Sequence, residues 1–162
     1  MKSRSIKSPT FAVLYNIRSV YNVGSIFRTA ECLGVSELIL VGYTPAPVDR
    51  FGRPRKDFSK VALGAEATLP WRSFSNMPAV LKFLKTKHAR IVAVEQASGA
   101  LDYKDIRVKP PVAFIFGNEV GGIPPAVLLR CDTVVEIKMR GKKESLNVSI
   151  AAAIVLARAL NS

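Results

Sequence analysis

The chain has 162 residues, of which 49% are hydrophobic and 22% charged, which suits one domain of ordinary size and argues against disorder. No stretch approaches the roughly 20 apolar residues of a membrane span, so we expect a cytoplasmic protein without membrane association. Its 24 Lys and Arg against 12 Asp and Glu give a net charge of +12, which favours nucleic acid as a partner over a basic surface that only aids solubility.

The order of apolar runs and helical repeats along the chain predicts an α/β fold with a mostly parallel sheet flanked by helices. Strands are predicted at residues 11–15, 37–41, 91–94, 112–116 and 133–137. Helices are predicted from an N-cap at Asn22 to Gly34, at 58–65, 78–87 and 124–130, and from an N-cap at Ser145 to about Leu160. Residues 42–60 are predicted as a long loop. One domain is expected over 1–162, with a short basic tail at about 1–9, and ligands are expected at the carboxyl ends of the strands.

The two cysteines and the single histidine do not predict a metal site. Neither Cys32 nor Cys131 belongs to a C-x-x-C pair, so a zinc site lacks ligands. Cys32 lies among apolar residues and is predicted in the core, whereas His88 is predicted on a basic surface. The basic residues at the start of the chain are followed by no apolar run, so no signal peptide is predicted.

Three segments next to predicted strands carry polar residues or glycines. In the first, 22–30, Arg28 lies on an otherwise apolar helix, either as a site residue or as a solvated or ion-paired side chain. The second, 117–122, is rich in glycine, which permits close backbone approach to a ligand, and a tight turn explains it equally well. The third, 138–147, is basic and leads to a helix start that either binds an anion or is capped by Ser145.

In their order and spacing, the three segments together resemble the three motifs of the SpoU/TrmH family, within the SPOUT superfamily of methyltransferases. The matching residues are Asn22-x-Gly24-x-x-x-Arg28, Gly117-Asn118-Glu119 with the glycines after it, and Ser145-Leu146-Asn147-Val148. The resemblance covers about 11–160. It implies a parallel sheet whose C-terminal part forms a deep trefoil knot, and a homodimer with each active site near the dimer interface. It also implies S-adenosylmethionine (S-adenosyl-L-methionine) as the cofactor.

The resemblance further implies a reaction, methylation of a ribose 2′-hydroxyl in structured RNA, with tRNA expected over rRNA. The implied catalytic residues are Arg28, Asn22, Glu119, Ser145 and Asn147, and the implied cofactor contacts are Gly117, Ile137, Met139, Leu146 and Gln96. The family assigns the role of base to the arginine that Arg28 matches. Because an arginine is normally protonated, gripping phosphate and orienting the ribose is the alternative role for Arg28.

Basic residues of two loops are expected to contact RNA phosphates, which gives affinity rather than sequence choice. They are Arg50, Arg53, Arg55, Lys56, Arg140, Lys142 and Lys143. The aromatic residues Tyr43, Phe51 and Phe58 either stack on bases or pack against the body of their own loop. No separate RNA-binding domain is predicted, so we expect the catalytic domain or its dimer to recognise the RNA. Two alternatives stay open: a base-methylating enzyme of the same fold, and a catalytically silent RNA-binding protein.

Overall fold

The computed structural model describes residues 8–161, so most of the predicted basic tail lies outside the described residues. The strands are β1 (Thr10–Tyr15), β2 (Glu37–Val41), β3 (Trp71–Phe74), β4 (Arg90–Val94), β5 (Leu101–Asp102), β6 (Val112–Phe116) and β7 (Thr133–Glu136). The helices are α1 (Val20–Leu33), α2 (Lys56–Ala62), α3 (Ala65–Thr68), α4 (Met77–Thr86), α5 (Pro125–Leu128) and α6 (Val148–Leu160). A 3₁₀ turn covers Tyr103–Asp105.

The seven strands form one sheet in the order β3-β2-β1-β6-β4-β7-β5, and every pair of neighbouring strands is parallel. The predicted α/β class with a mostly parallel sheet is therefore confirmed. Strand β6 enters the sheet between β1 and β4, so that Ala113 lies between Phe11 and Ile91. This insertion brings the loops that follow β4, β6 and β7 together at one edge of the sheet, where such folds bind ligands.

Helices cover both faces of the sheet, which explains why the central strands are apolar along their whole length. On one face, Ala12 and Leu14 of β1 belong to a core that also contains Phe27 of α1 and Leu156 of α6. On the other face, the alternate residues of β1 pack into a second core with α4. Within residues 8–161, no helix combines the length and the apolar character that a bilayer crossing requires.

Two strands that the sequence did not predict, β3 and β5, lie at the two edges of the sheet. The residues of β3 are half-buried or exposed, and β5 has two residues, so neither carries a long apolar run. An edge strand pairs on one side only and needs less apolar surface, which is why the pattern was too weak to detect. Helix α2 begins inside the predicted loop 42–60 and ends at Ala62 instead of continuing to 65.

Both predicted N-caps were wrong by a few residues. Helix α1 begins at Val20, because the hydroxyl of Ser19 accepts the hydrogen bond of the Asn22 backbone N–H at 3.2 Å. Asn22 thus lies in the first turn of the helix and is buried. Helix α6 begins at Val148 with Asn147 as its N-cap, so Ser145 lies before the helix and caps nothing.

The cysteine prediction was also wrong, since Cys32 is exposed. Helix α1 buries Val23, Ile26, Phe27 and Ala30. At about 100° per residue, Cys32 lies well away from the direction of Phe27, toward solvent. The prediction for His88, on the surface, is confirmed.

Candidate functional site

A pocket of about 230 Å³ opens at the carboxyl ends of β4, β6 and β7. All the predicted cofactor contacts line it, namely Gly117, Ile137, Met139, Leu146 and Gln96. Two of the predicted catalytic residues, Glu119 and Ser145, line it as well. Residues from three distant parts of the sequence therefore surround one cavity, at the edge of the sheet where the strand order predicts a ligand site.

The glycine-rich loop after β6 is closely packed against itself. A Cβ atom at Gly117 would lie 2.5 Å from the carbonyl carbon of Gly122, so no larger residue fits without a backbone shift. The side-chain oxygen of Asn118 accepts hydrogen bonds from the backbone N–H groups of Val120 at 2.9 Å and Gly121 at 2.7 Å. Glycine at 117 is required by this close approach, and the loop is fixed before any ligand binds.

Glu95 joins two of the pocket loops and was missed by the sequence prediction. One oxygen of its carboxylate accepts the backbone N–H of Ile123 at 2.8 Å, and the other accepts that of Gln96 at 2.9 Å. The side-chain amide of Gln96 in turn donates to the carbonyl oxygen of Glu144 at 2.9 Å, which reaches the loop after β7. The signal for Glu95 was its position directly after a buried strand, where ligand-binding loops of α/β proteins begin.

Three of the predicted catalytic residues form one hydrogen-bonded network. The Asn147 side-chain amide donates to the side-chain oxygen of Asn22 at 3.0 Å. The amide of Asn22 donates to a carboxylate oxygen of Glu119 at 3.2 Å, and Glu119 lines the pocket. The network thus connects the first turn of α1, the loop after β6 and the N-cap of α6, which lie up to 125 residues apart in sequence.

Glu119 is held as a carboxylate at the start of α1. It accepts hydrogen bonds from the backbone N–H groups of Arg18 at 3.0 Å and Ser19 at 3.2 Å, in addition to Asn22. Burial alone raises the pKa of Glu119, but these bonds and its own backbone N–H outweigh it, so the pKa lies below its ordinary value. A carboxylate so occupied is a weak proton acceptor, and its geometry suits a positioning role.

The depressed pKa makes a prediction about acid stability. A carboxylate with a lowered folded-state pKa stabilises the fold above its ordinary pKa, and this contribution is lost as the pH falls through the folded-state value. We expect Glu119→Gln to lower the Tm at neutral pH, and the difference from the parent chain to shrink as the pH falls from neutral to below about 4.3, the ordinary pKa of a glutamate. Thermal unfolding across this range measures it, with the exposed Glu31→Gln as the control. A difference that stays constant with pH would contradict the role of the charge.

Arg28 is exposed on α1, and it is not among the residues that line the pocket. It makes no hydrogen bond or ion pair with any residue between 8 and 161 that would hold its guanidinium in place. Arg28 lies six positions after Asn22, a rise of about 9 Å along a helix axis. A single chain therefore brings Asn22, Glu119 and Asn147 together without Arg28.

The model of the SpoU rRNA Methylase family matches residues 9–157, nearly the whole chain. The chain belongs to the SpoU family. Among curated relatives, a 23S rRNA (guanosine-2′-O-)-methyltransferase of Neisseria meningitidis is 33% identical over 148 residues, which cover 91% of this chain and 56% of that protein. This chain thus spans just over half the length of that relative.

Solved structures agree with the family. The AdoMet-bound rRNA methyltransferase of Sinorhizobium meliloti superposes with a TM-score of 0.82 at 29% identity, over 94% of this chain and 56% of that one. A chain from work on the 2-OH methylation of C/U34 on tRNA superposes with a TM-score of 0.77 at 26% identity. That match covers 91% of both chains.

The basic residues predicted for RNA lie on two surfaces of this SpoU domain. Lys142 and Lys143 are exposed and line an open cavity that shares Gln96, Ile137 and Met139 with the first pocket. Arg140 and Lys56 are exposed on the loop after β7 and on the first turn of α2.

The remaining predicted phosphate contacts lie between β2 and α2. Arg50 and Arg53 are exposed. Arg53 forms an ion pair with Asp49 at 2.8 Å, and the half-buried Arg55 forms one with Asp57 at 2.7 Å. Arg50 makes no ion pair within the part of the chain that the structure describes.

The three aromatic residues of this region have different environments. Phe58 is fully buried and its ring packs against that of Phe27. Of the two roles considered for Phe58, the structure therefore supports packing and excludes stacking on a base. The hydroxyl of Tyr43 accepts a hydrogen bond from the Asn118 amide at 3.0 Å, which joins Tyr43 to the pocket loop. Phe51 is 66% exposed. Among residues 8–161, no cluster of His, Cys, Asp and Glu has the composition to hold a metal ion.

Proposed function

We propose that this chain transfers the methyl group of S-adenosylmethionine to a ribose 2′-hydroxyl in RNA. The observation that carries the proposal is the pocket lined by the second and third SpoU motif segments, to which the first segment is joined by the Asn22–Glu119–Asn147 network. The names of the relatives support it, since the Neisseria meningitidis protein is a guanosine-2′-O-methyltransferase and the Sinorhizobium meliloti enzyme is AdoMet-bound.

The lining of the pocket fits S-adenosylmethionine. Val94, Phe116 and Leu146 offer apolar surface for an adenine ring. Three acidic residues, Glu95, Glu119 and Glu136, surround the same space and favour a cation over an anion. The tight loop at Gly117 leaves backbone groups accessible to a ligand. When bound, the cofactor supplies an electrophilic methyl group on its sulfonium.

The residues of the network would act on the ribose by alignment. A sugar hydroxyl is a weak nucleophile at neutral pH, so its orientation and the removal of its proton dominate the barrier. We assign to Arg28 the binding of a substrate phosphate beside the reacting ribose, because an arginine stays protonated and forms bidentate bonds to phosphate. Asn22, Asn147 and Ser145 would hold the pocket wall against which the ribose lies.

We propose a homodimer in which Arg28 of one copy serves the pocket of the other. The support is the exposure of Arg28 and of apolar residues nearby. Tyr21 and Ile150 lie on the first turns of α1 and α6, are 67% and 51% exposed, and flank the Asn22–Asn147 hydrogen bond. Exposed apolar residues clustered beside a site are typical of an interface. We also propose the deep trefoil knot expected for the family, and the superposition on the rRNA methyltransferase of Sinorhizobium meliloti supports it.

We further propose tRNA as the substrate, with rRNA as the alternative. The support for tRNA is the matched chain from work on C/U34 of tRNA, since the match covers nearly all of both chains. The support for rRNA is the name of the relatives from Neisseria meningitidis and Sinorhizobium meliloti. In either case the net charge of +12 supplies the attraction for phosphate that RNA binding requires.

The test is the transfer of a labelled methyl group from S-adenosylmethionine to bulk tRNA and, separately, to rRNA. We expect label in tRNA. Label in rRNA alone would show that the substrate is rRNA and not tRNA. Binding of RNA without cofactor binding or transfer would favour the catalytically silent RNA-binding protein instead.

Asn147→Ala tests the network in the same assay. The substitution removes the N-cap bond to the Ser149 backbone, at 2.8 Å, and the bond to Asn22. We expect a loss of about 0.5–2 kcal/mol of stability from the cap and a lower transfer rate from the lost bond to Asn22. The matched control is Asn76→Ala, which removes the N-cap of α4, bonded to the Ala79 N–H at 3.0 Å, away from the pocket. Equal transfer rates in the two variants would contradict the role of Asn147.

A further inference from the structure

The exposed ring of Phe51 lies at the tip of a tight turn between β2 and α2. The turn is closed by a backbone bond from the Asp49 N–H to the Arg53 carbonyl oxygen at 2.9 Å, next to an antiparallel bridge between Val48 and Pro54. The Asp49 carboxylate also accepts the backbone N–H of Phe51 at 2.8 Å and that of Arg53 at 3.0 Å. The ring is therefore held outward by a preformed turn, and little conformational entropy is lost when a ligand contacts it.

Two guanidinium groups lie against this ring. The central carbon of the Arg50 guanidinium is 4.8 Å from the ring centroid of Phe51, and that of Arg53 is 5.0 Å from it. Arg53 is fixed by its ion pair with Asp49, whereas Arg50 has no carboxylate partner within residues 8–161. The tip thus presents an aromatic face, one anchored cation and one cation that is available for an anion.

The charge around the tip matches a polyanion. The segment 42–60 carries five basic residues against Asp49 and Asp57, and both of these acids are already paired with arginines. This excess of positive charge would not strengthen the binding of an apolar protein surface. A nucleic acid offers both a ring that stacks on Phe51 and phosphates that attract the arginines.

The turn lies at the same edge of the sheet as the pocket. The segment leaves β2 at Val41, and two strand spacings, about 10 Å, separate β2 from β6. The Asn118 side-chain amide, in the pocket loop, donates to the carbonyl oxygen of Asn16 at 2.7 Å and to the Tyr43 hydroxyl at 3.0 Å. These bonds join the start of the segment that carries the turn to the pocket loop, which places the turn within reach of an RNA molecule at the pocket.

We infer that Phe51 stacks on an unpaired nucleobase of the RNA substrate while Arg50 binds an adjacent phosphate. This inference rests on the proposed function for the identity of the substrate as RNA. It assigns to the turn 49–53 the recognition of a single-stranded nucleotide outside the pocket, so the chain prefers RNA with an unpaired loop over a continuous duplex.

The test compares two polyanions that differ in the presence of bases. Probes are an oligoadenylate of about a dozen nucleotides, within the usual length range of single-strand binding sites, and inorganic polyphosphate of matched charge. We expect Phe51→Leu to weaken oligoadenylate binding by roughly 5- to 150-fold, the range measured when one stacking aromatic is removed, and to leave polyphosphate binding unchanged. Phe51→Tyr, which keeps the ring, should bind the oligoadenylate as the parent chain does.

Salt dependence separates the ring from the charge. We expect Arg50→Gln to reduce the slope of log K against log salt by about 0.7 for a single strand, whereas Phe51→Leu leaves the slope unchanged. Leu129→Ala, which changes an exposed apolar residue directly after α5 and outside the segment 42–60, is the control for surface apolarity.

The outcomes distinguish this inference from the proposed function. If the parent chain methylates tRNA and Phe51→Leu binds the oligoadenylate as tightly as the parent, stacking is overturned and the methyltransferase proposal stands. If Phe51→Leu weakens both probes equally, the ring serves the loop structure and the stacking role is likewise overturned. If the parent chain binds RNA and transfers no methyl group, the proposed function alone is overturned. The binding comparison between Phe51→Leu and the parent chain would still decide whether Phe51 stacks on a base.

Discussion

Replacing Arg28 by alanine is expected to lower the methyl transfer rate by about 10²-fold, the loss that misplacement of a reacting group can cause. Arg28 is exposed and makes no ion pair with a residue of the described chain, so its removal leaves no buried partner unsatisfied. The Tm and the affinity for S-adenosylmethionine should therefore remain close to those of the parent chain. Steady-state transfer, thermal unfolding and cofactor titration measure the three quantities.

Two variants make this test specific. Arg130 is an exposed arginine on the turn between α5 and β7, three residues before β7 begins at Thr133, and so lies away from the carboxyl ends of the strands. Arg130→Ala removes the same charge and is expected to transfer at nearly the parental rate. Arg28→Lys keeps the charge and loses the bidentate geometry, so we expect an intermediate rate. Near-normal transfer by Arg28→Ala would remove Arg28 from the mechanism.

Replacing Gly117 by alanine is expected to weaken cofactor binding. Its Cβ would lie 2.5 Å from the carbonyl carbon and 2.7 Å from the carbonyl oxygen of Gly122, and backbone cannot move aside as a side chain can. Overpacking of this kind costs about 1–3 kcal/mol. Because 1.4 kcal/mol corresponds to a factor of ten, we expect Gly117→Ala to bind S-adenosylmethionine about tenfold or more weakly, measured by calorimetric titration.

The matched control for Gly117→Ala lies in the same loop. A Cβ at Gly121 would meet only the side-chain oxygen of Asn118, at 3.6 Å, which is an ordinary van der Waals contact. Gly121→Ala should therefore keep the parental affinity. Equal affinities in the two variants would show that the close packing at Gly117 does not shape the cofactor site.

The parts of the fold that the sequence predicted are those whose signal is local. Strands with unbroken apolar runs, such as 112–116, were predicted almost to the residue because burial on both faces demands such runs. Strands β3 and β5 gain their pairing from one neighbour each, which no local pattern records. The sheet order depends on the insertion of β6 between β1 and β4, a contact between residues far apart in sequence.

The errors at the two helix starts both fall on residues of the candidate site. Asn22 and Ser145 have side chains that often cap helices, and the sequence offers Ser19 and Asn147 within three residues of them. In the structure Asn22 bonds to Glu119 and Asn147 instead of capping α1. A local capping rule fails where a side chain has a partner elsewhere in the chain, as Asn22 does.

The candidate site itself was predictable only through the motif resemblance. Composition and periodicity place a ligand at the carboxyl ends of the strands, and the motifs selected Gly117, Leu146 and their neighbours, which do line one pocket. Glu95 carries no motif, and its role in joining two loops depends on a hydrogen bond to Ile123, 28 residues away. The sequence also could not predict that Arg28 lies outside the pocket of its own chain, because this depends on the three-dimensional arrangement.

The most direct test of the proposed reaction is the location of the transferred methyl group in the RNA product. Alkali cleaves RNA through attack of a free 2′-hydroxyl on the neighbouring phosphate, so a 2′-O-methylated nucleotide protects the bond that follows it. After transfer from labelled S-adenosylmethionine to tRNA and complete alkaline hydrolysis, we predict the label in alkali-resistant dinucleotides. Label in mononucleotides with a methylated base would contradict ribose methylation and establish the base-methylating alternative.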